Sequence, residues 1–173
     1  MKQSLVVLGV IFALVSSLYA SRRAVIIFQE QTRLANEIAA WEKQCADQSS
    51  HDKTCLEKRD KLIAELREFV AMINDELNVL RQVSPNAPDD FVKKTEGRRK
   101  VMEFELHNTL YVIKCLGVPA SEAQCSAESV AIEKEKAVIE TKYASTLTEF
   151  KTSGFDGQWL SLRADKSAAR KKP

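Results

Sequence analysis

The sequence predicts an all-α fold: a long, coiled-coil-like antiparallel helical hairpin stapled by two disulfides, with an up-and-down four-helix bundle as the alternative. Three observations lead there. The 173 residues include only 5 Gly and 4 Pro while 29% are charged, a helix-forming composition poor in turn formers. Apolar side chains recur at heptad spacing along two long stretches. Four cysteines, Cys45, Cys55, Cys115 and Cys125, stand in two pairs placed symmetrically about a proline-rich turn.

Residues 1–20 read as a signal peptide or a signal anchor. Lys2 precedes an uncharged run from Leu5 to Ala20, and Ser16-Ser17-Leu18-Tyr19-Ala20 has the layout of a cleavage region, with Ala20 a suitable last residue. The run is short for a membrane span, and Arg22 and Arg23 close it on the outer flank. Both readings place the remainder in an extracytoplasmic, oxidising compartment: periplasm, secreted space or intermembrane space. Four cysteines behind an export signal are therefore expected to be disulfide-bonded.

Residues 21–152 form the helical body. With Ala24 at heptad position a, Ile27, Leu34, Ile38, Trp41 and Cys45 fall on a or d, and without any shift so do Cys55, Leu62, Leu66, Phe69, Ile73, Leu80 and Val83. Gln31, Gln48, Asp52, Arg59 and Glu76 interrupt the seam. A loop has no reason to keep phase, so one unbroken helix from about Ser21 to Val83 is expected, roughly 90 Å long. The turn lies near 83–88, where Pro85 and Pro88 cannot sit in a helix interior. Pro88 and Asp89-Asp90 suit the first turn of the next helix.

In the second half, Cys115 at a puts Cys125 at d, with Val101, Phe104, Tyr111, Val118, Ile132, Ile139, Tyr143 and Phe150 on the same seam, which Lys94, Gly97, Asn108, Glu122 and Lys136 interrupt. Gly117 and Pro119 mark a softer break, followed by Ser121 and Gln124 at capping-box spacing. Residues 153–173 read as a basic, flexible tail; in its last thirteen residues Arg163, Lys166, Arg170, Lys171 and Lys172 against Asp165 give a net charge of +4, in a chain whose total is +2. The body is therefore not a polyanion-binding surface, and no nucleic-acid partner is expected.

Each cysteine pair has nine intervening residues, and the midpoints of Cys55–Cys115 and Cys45–Cys125 both fall at Pro85. A hairpin folded there brings Cys45 opposite Cys125 and Cys55 opposite Cys115, in a-to-d register, so nested disulfides are the expectation. Local pairing, Cys45 with Cys55 and Cys115 with Cys125, is the alternative and belongs with the four-helix bundle. A four-cysteine zinc site is a third reading that lacks the usual short spacings. Twin Cys-x9-Cys pairs on such a hairpin resemble the coiled-coil-helix-coiled-coil-helix proteins of the mitochondrial intermembrane space, which are mostly small structural or assembly factors. The resemblance covers only 45–55 and 115–125, and the 59 residues between the pairs exceed that family's short link. It implies shared geometry rather than kinship.

No phosphate loop, dinucleotide fingerprint or nucleophile elbow occurs, and the two histidines, His51 and His107, have no partner at metal-ligand spacing. His107 is expected to pair with Glu103 on its own helix. No enzyme activity, cofactor or metal is expected. Leu106, Leu110 and Ile113 form a second apolar stripe beside the heptad seam and are the candidate interface, because a two-helix hairpin buries only one stripe per helix. The functional expectation is a non-catalytic exported structural, scaffolding or assembly protein. It would work through helical contacts with another protein or with itself at or near a membrane, held there through residues 5–20 if they are retained. The alternative is a secreted helical-bundle module that binds a small apolar ligand.

Overall fold

The computed structural model describes residues 2–45, 52–82, 87–119 and 122–162, with side chains described from Arg23 onward. Helix α1 runs Lys2–Cys45, α2 Lys53–Arg81, α3 Asp89–Cys115, α4 Ala123–Lys142 and α5 Ala144–Thr152. Among the described residues there is no strand, and the chain is all-helical with two disulfides. The helices pack in chain order, α1 on α2, α2 on α3, and α3 on both α4 and α5.

The long first helix is not unbroken. It stops at Cys45, and α2 starts anew behind Asp52, whose side chain accepts the Thr54 amide at 2.8 Å. Both helices nonetheless bury the predicted seam: Leu34, Ile38, Leu62, Leu66, Phe69 and Ile73 are all at most 5% exposed. Phase survives because each helix of an antiparallel pair presents its own apolar stripe to the other. The continued count matched two facing stripes rather than one rod. Arg33 reaches across to Glu65 at 2.8 Å, and Lys58 to Gln44, also at 2.8 Å. The second break is as read: α3 closes on Leu116, and Gly117 takes the left-handed conformation (φ +78°) that ends many helices. Pro88 caps α3, with Asp89 and Asp90 in its first turn. Glu122 caps α4, and Ser121 of the expected capping box lies outside the described residues, as do His51 and the turn residues 83–86.

The disulfides are local. Cys45 bonds to Cys55 and Cys115 to Cys125, each with Cα atoms 5.8 Å apart. This overturns the nested pairing and, with it, the likeness to the stapled intermembrane-space hairpins; local pairing is the one expected with the helical-bundle alternative. The shared midpoint at Pro85 has a different meaning. It places Cys55, in the first turn of α2, level with Cys115, in the last turn of α3, so both bridged turns gather at one end of the bundle. They touch there: a Cβ on Gly117 would come within 2.9 Å of Arg59 Cδ and 3.1 Å of the Trp41 ring. Trp41 in turn donates its indole N–H to the Cys55 carbonyl at 3.0 Å.

The tail reading also fails over 153–162. Phe155, Trp159 and Leu160 are buried at 4%, 7% and 2% exposure. Phe155 packs against Phe28 of α1 (5.1 Å between ring centroids) and Trp159 stands edge-on to Phe104 of α3 (4.8 Å). An aromatic-bearing segment of this kind gains more from burying its rings than it loses in ordering its backbone. Residues 163–173, which carry the basic charge, lie outside the described residues.

Candidate functional site

α3 is the central helix, and it buries two faces. One is the predicted seam through Val101, Phe104, Asn108 and Cys115; the other runs through Met102, Glu105, Thr109, Val112 and Leu116. The second face lies one residue off the Leu106, Leu110, Ile113 stripe. It escapes a hydrophobicity reading because Glu105 and Thr109 are polar.

Glu105 is the most unusual of these side chains. It is 0% exposed, and its Oε2 accepts Gln31 Nε2 from α1 at 3.2 Å. Its Oε1 and the Gln31 Oε1 have no hydrogen-bond partner. Burial raises its pKa to about 8, and no facing charge opposes that shift. The carboxyl is therefore neutral at pH 7, which avoids the cost of an unpaired charge in the interior. Gln31 Nε2 also donates to the Gln158 carbonyl at 3.1 Å, and Asn108 Nδ2 donates to the Leu160 carbonyl at 2.9 Å. Two carboxamides from two helices thus hold alternate carbonyls of the C-terminal segment, and Gln31 ties the segment to the buried acid. Trp159 completes the clasp by donating to Glu140 of α4 at 3.2 Å.

Beside this clasp lies an open recess of about 230 Å³, bordered by Phe104, Asn108, Ile132, Glu133, Lys136 and the segment itself. Its rim is polar, and the apolar space between α1, α3 and α4 is already filled by Phe155, Trp159 and Leu160. A second buried carboxyl, Glu76 of α2, is 4% exposed, with one oxygen unpartnered. Burial raises its pKa more than the charges of Arg23 and Arg98 lower it. Glu105 lies in the packed interior, whereas Glu76 borders a surface recess that it shares with Arg23 and Asp75. Among the described residues no group of three His, Cys, Asp or Glu side chains could hold a metal ion.

The candidate interface splits. Leu106 and Ile113 are partly buried against the core, while Leu110 is 47% exposed. Leu110 sits between two cross-helix contacts, His107 to Glu135 at 3.3 Å and Lys114 to Glu128. The expected His107–Glu103 pair does not form, because Glu103 is engaged by Lys100 at 2.8 Å and Arg99 at 3.5 Å. Val130 and Val138 of α4 are also exposed, at 54% and 55%. Gln31 and Glu76, which look like defects in the seam, are the positions where the buried polar groups sit. Polar residues at heptad core positions were the available signal for them.

Comparison with known proteins finds no matching family model, no matching curated protein and no matching solved structure.

Proposed function

We propose that this chain is a non-catalytic, exported assembly or scaffolding protein that works beside a membrane by helix-to-helix contact with another protein or a second copy. Two disulfides suit an oxidising compartment. Among the described residues no helix is long and apolar enough to cross a membrane. The uncharged Leu5–Ala20 run lies where side chains are not described, and its anchoring role is part of this proposal.

The observation that carries the reading is Leu110: a large apolar side chain left 47% exposed on a bundle whose interior is otherwise filled. The test is Leu110→Glu, preferable to a change at Leu106 or Ile113 because those two also pack against the core. The variant is expected to keep its helicity and both disulfides while losing its oligomer in sedimentation or its partner in a pull-down. Unchanged association would remove the support for this face as the contact surface. The alternative, a pocket for a small apolar ligand, has less in its favour, because the chain's own Phe155, Trp159 and Leu160 occupy the inter-helix space such a ligand would need.

A further inference from the structure

The two ends of the bundle differ. The far end holds both disulfide-bridged turns. At the near end α1 arrives from the leader as one continuous helix, Lys2–Cys45, and there α2 finishes and α3 begins. Arg23, Ile26 and Ile27 share a surface recess with Met72, Asp75 and Glu76, which fixes the level of α2 beside the Arg23–Ile27 turn of α1. α2 then continues to Arg81, five residues beyond Glu76. At 1.5 Å per residue it overshoots Arg23 by about 7.5 Å toward the leader. The last turn of α2 and the first turn of α3 therefore lie alongside the final residues of the leader, not below them.

That overhang carries exposed apolar side chains: Val79 at 44%, Phe91 at 47% and Val92 at 42%. Phe91 is the one exposed large aromatic among the described residues. The headgroup layer on each side of a bilayer is roughly 5–7 Å thick, about the depth of the overhang. A leader embedded up to Ala20 would hold these side chains within that layer.

We infer that the near end of the bundle is a membrane seat, in which Val79, Phe91 and Val92 enter the interfacial layer of a phospholipid bilayer beside the leader. Arg81, Lys93 and Lys94 outnumber Asp89 and Asp90 in these two turns, and Arg22 and Arg23 flank them on α1, so the apolar side chains of the seat are accompanied by cations suited to the headgroup level. The seat fixes the bundle upright, with both disulfides and the Trp41–Gly117 contact farthest from the bilayer. The inference rests on the membrane-side placement proposed above, and the experiment separates the two.

The full chain is reconstituted in phosphatidylcholine vesicles with and without dibrominated phosphatidylcholine, and tryptophan quenching is compared for wild type, Phe12→Trp and Phe91→Trp. The native Trp41 and Trp159 set the background. Phe12→Trp reports insertion of the leader and Phe91→Trp reports the seat; both are expected to show roughly twofold more bromine quenching than wild type, as for rings at or within the interface. Quenching at 12 but not at 91 overturns the seat and leaves the membrane-side placement standing. Quenching at neither overturns both. An indole at position 91 that is shielded from aqueous iodide yet untouched by bromolipid is covered by protein, a second copy or a partner, and also overturns the seat. Val92→Trp repeats the measurement if Phe91→Trp loses its helical circular dichroism.

Discussion

Glu105 links single-residue chemistry to the stability of the molecule. Its folded pKa of about 8 lies well above the ordinary carboxyl value of 4.5. Between those two values the unfolded chain is ionised and the folded chain still holds its proton, so stability falls as pH rises from about 4.5 to 8. Above pH 8 the carboxyl ionises in the fold and the full penalty is present; below 4.5 there is none. A tenfold change in proton affinity corresponds to about 1.4 kcal/mol, so the penalty at high pH is a few kcal/mol once local relaxation is allowed for. Glu105→Gln keeps the shape and supplies a permanent donor. Urea titrations across pH 4–9 should show the variant gaining on wild type steadily above pH 5, with little difference at pH 4. Parallel curves would mean that the acid is hydrated in solution. Glu76, also raised by burial, contributes with the same sign. Glu65 and Glu103, lowered by Arg33 and Lys100 respectively, act only in the acid range, where their protonation removes stability.

Among the elements, the two bridged turns are the strongest local constraints. Each disulfide joins residues ten apart, and on the chain-entropy model a loop of that size contributes about 2.7 kcal/mol, less any native strain. Nested bridges would close far longer loops and contribute more. Replacing Cys45 and Cys55 together by serine, or Cys115 and Cys125 together, should lower stability by roughly 2–3 kcal/mol in either case while the helices persist. Chemical denaturation measures the loss, and non-reducing peptide mapping of the wild type should return fragments joining 45 to 55 and 115 to 125. A 45–125 fragment would refute the bundle topology outright.

The α3 helix shows how far an element can be read from its own sequence. Its heptad seam was legible because Val101, Phe104 and Cys115 are apolar at the right spacing, and these side chains are at most 3% exposed. Its second buried face was not. The apolar count favoured Leu106, Leu110 and Ile113, whereas the bundle covers Met102, Glu105, Thr109 and Val112. A glutamate can occupy such a face only if it gives up its charge. That depends on the helix opposite supplying Gln31, which no property of α3 alone can show.

At the scale of the whole molecule, the two staples are mechanically one unit, because Gly117 in one turn lies against Trp41 and Arg59 beside the other. Gly117→Ala adds a methyl group where φ is +78° and where Arg59 Cδ stands 2.9 Å from the new atom. A loss of about 1–2 kcal/mol is expected, from the left-handed backbone and the displaced neighbours together. The loss should shrink in a Trp41→Ala background, where the added atom has room. A double-mutant cycle by thermal denaturation measures that coupling, and strict additivity would show that the two turns do not touch.

The sequence by itself determined the helical class, the oxidised state of the cysteines, the main seam and the break between α2 and α3. Each of these is local, set by composition, by periodicity along one helix or by what a proline ring forbids. Only the tertiary structure decided where the first helix ends, which cysteine meets which, that α3 is covered on two sides and that Phe155, Trp159 and Leu160 close the core. The seam pattern is the same whether two stripes belong to one long rod or to two helices folded face to face, and cysteines symmetric about a turn fit either nested or local bonds. Those choices depend on which distant surfaces bury the most apolar area together, a property of the packed chain rather than of any stretch of it.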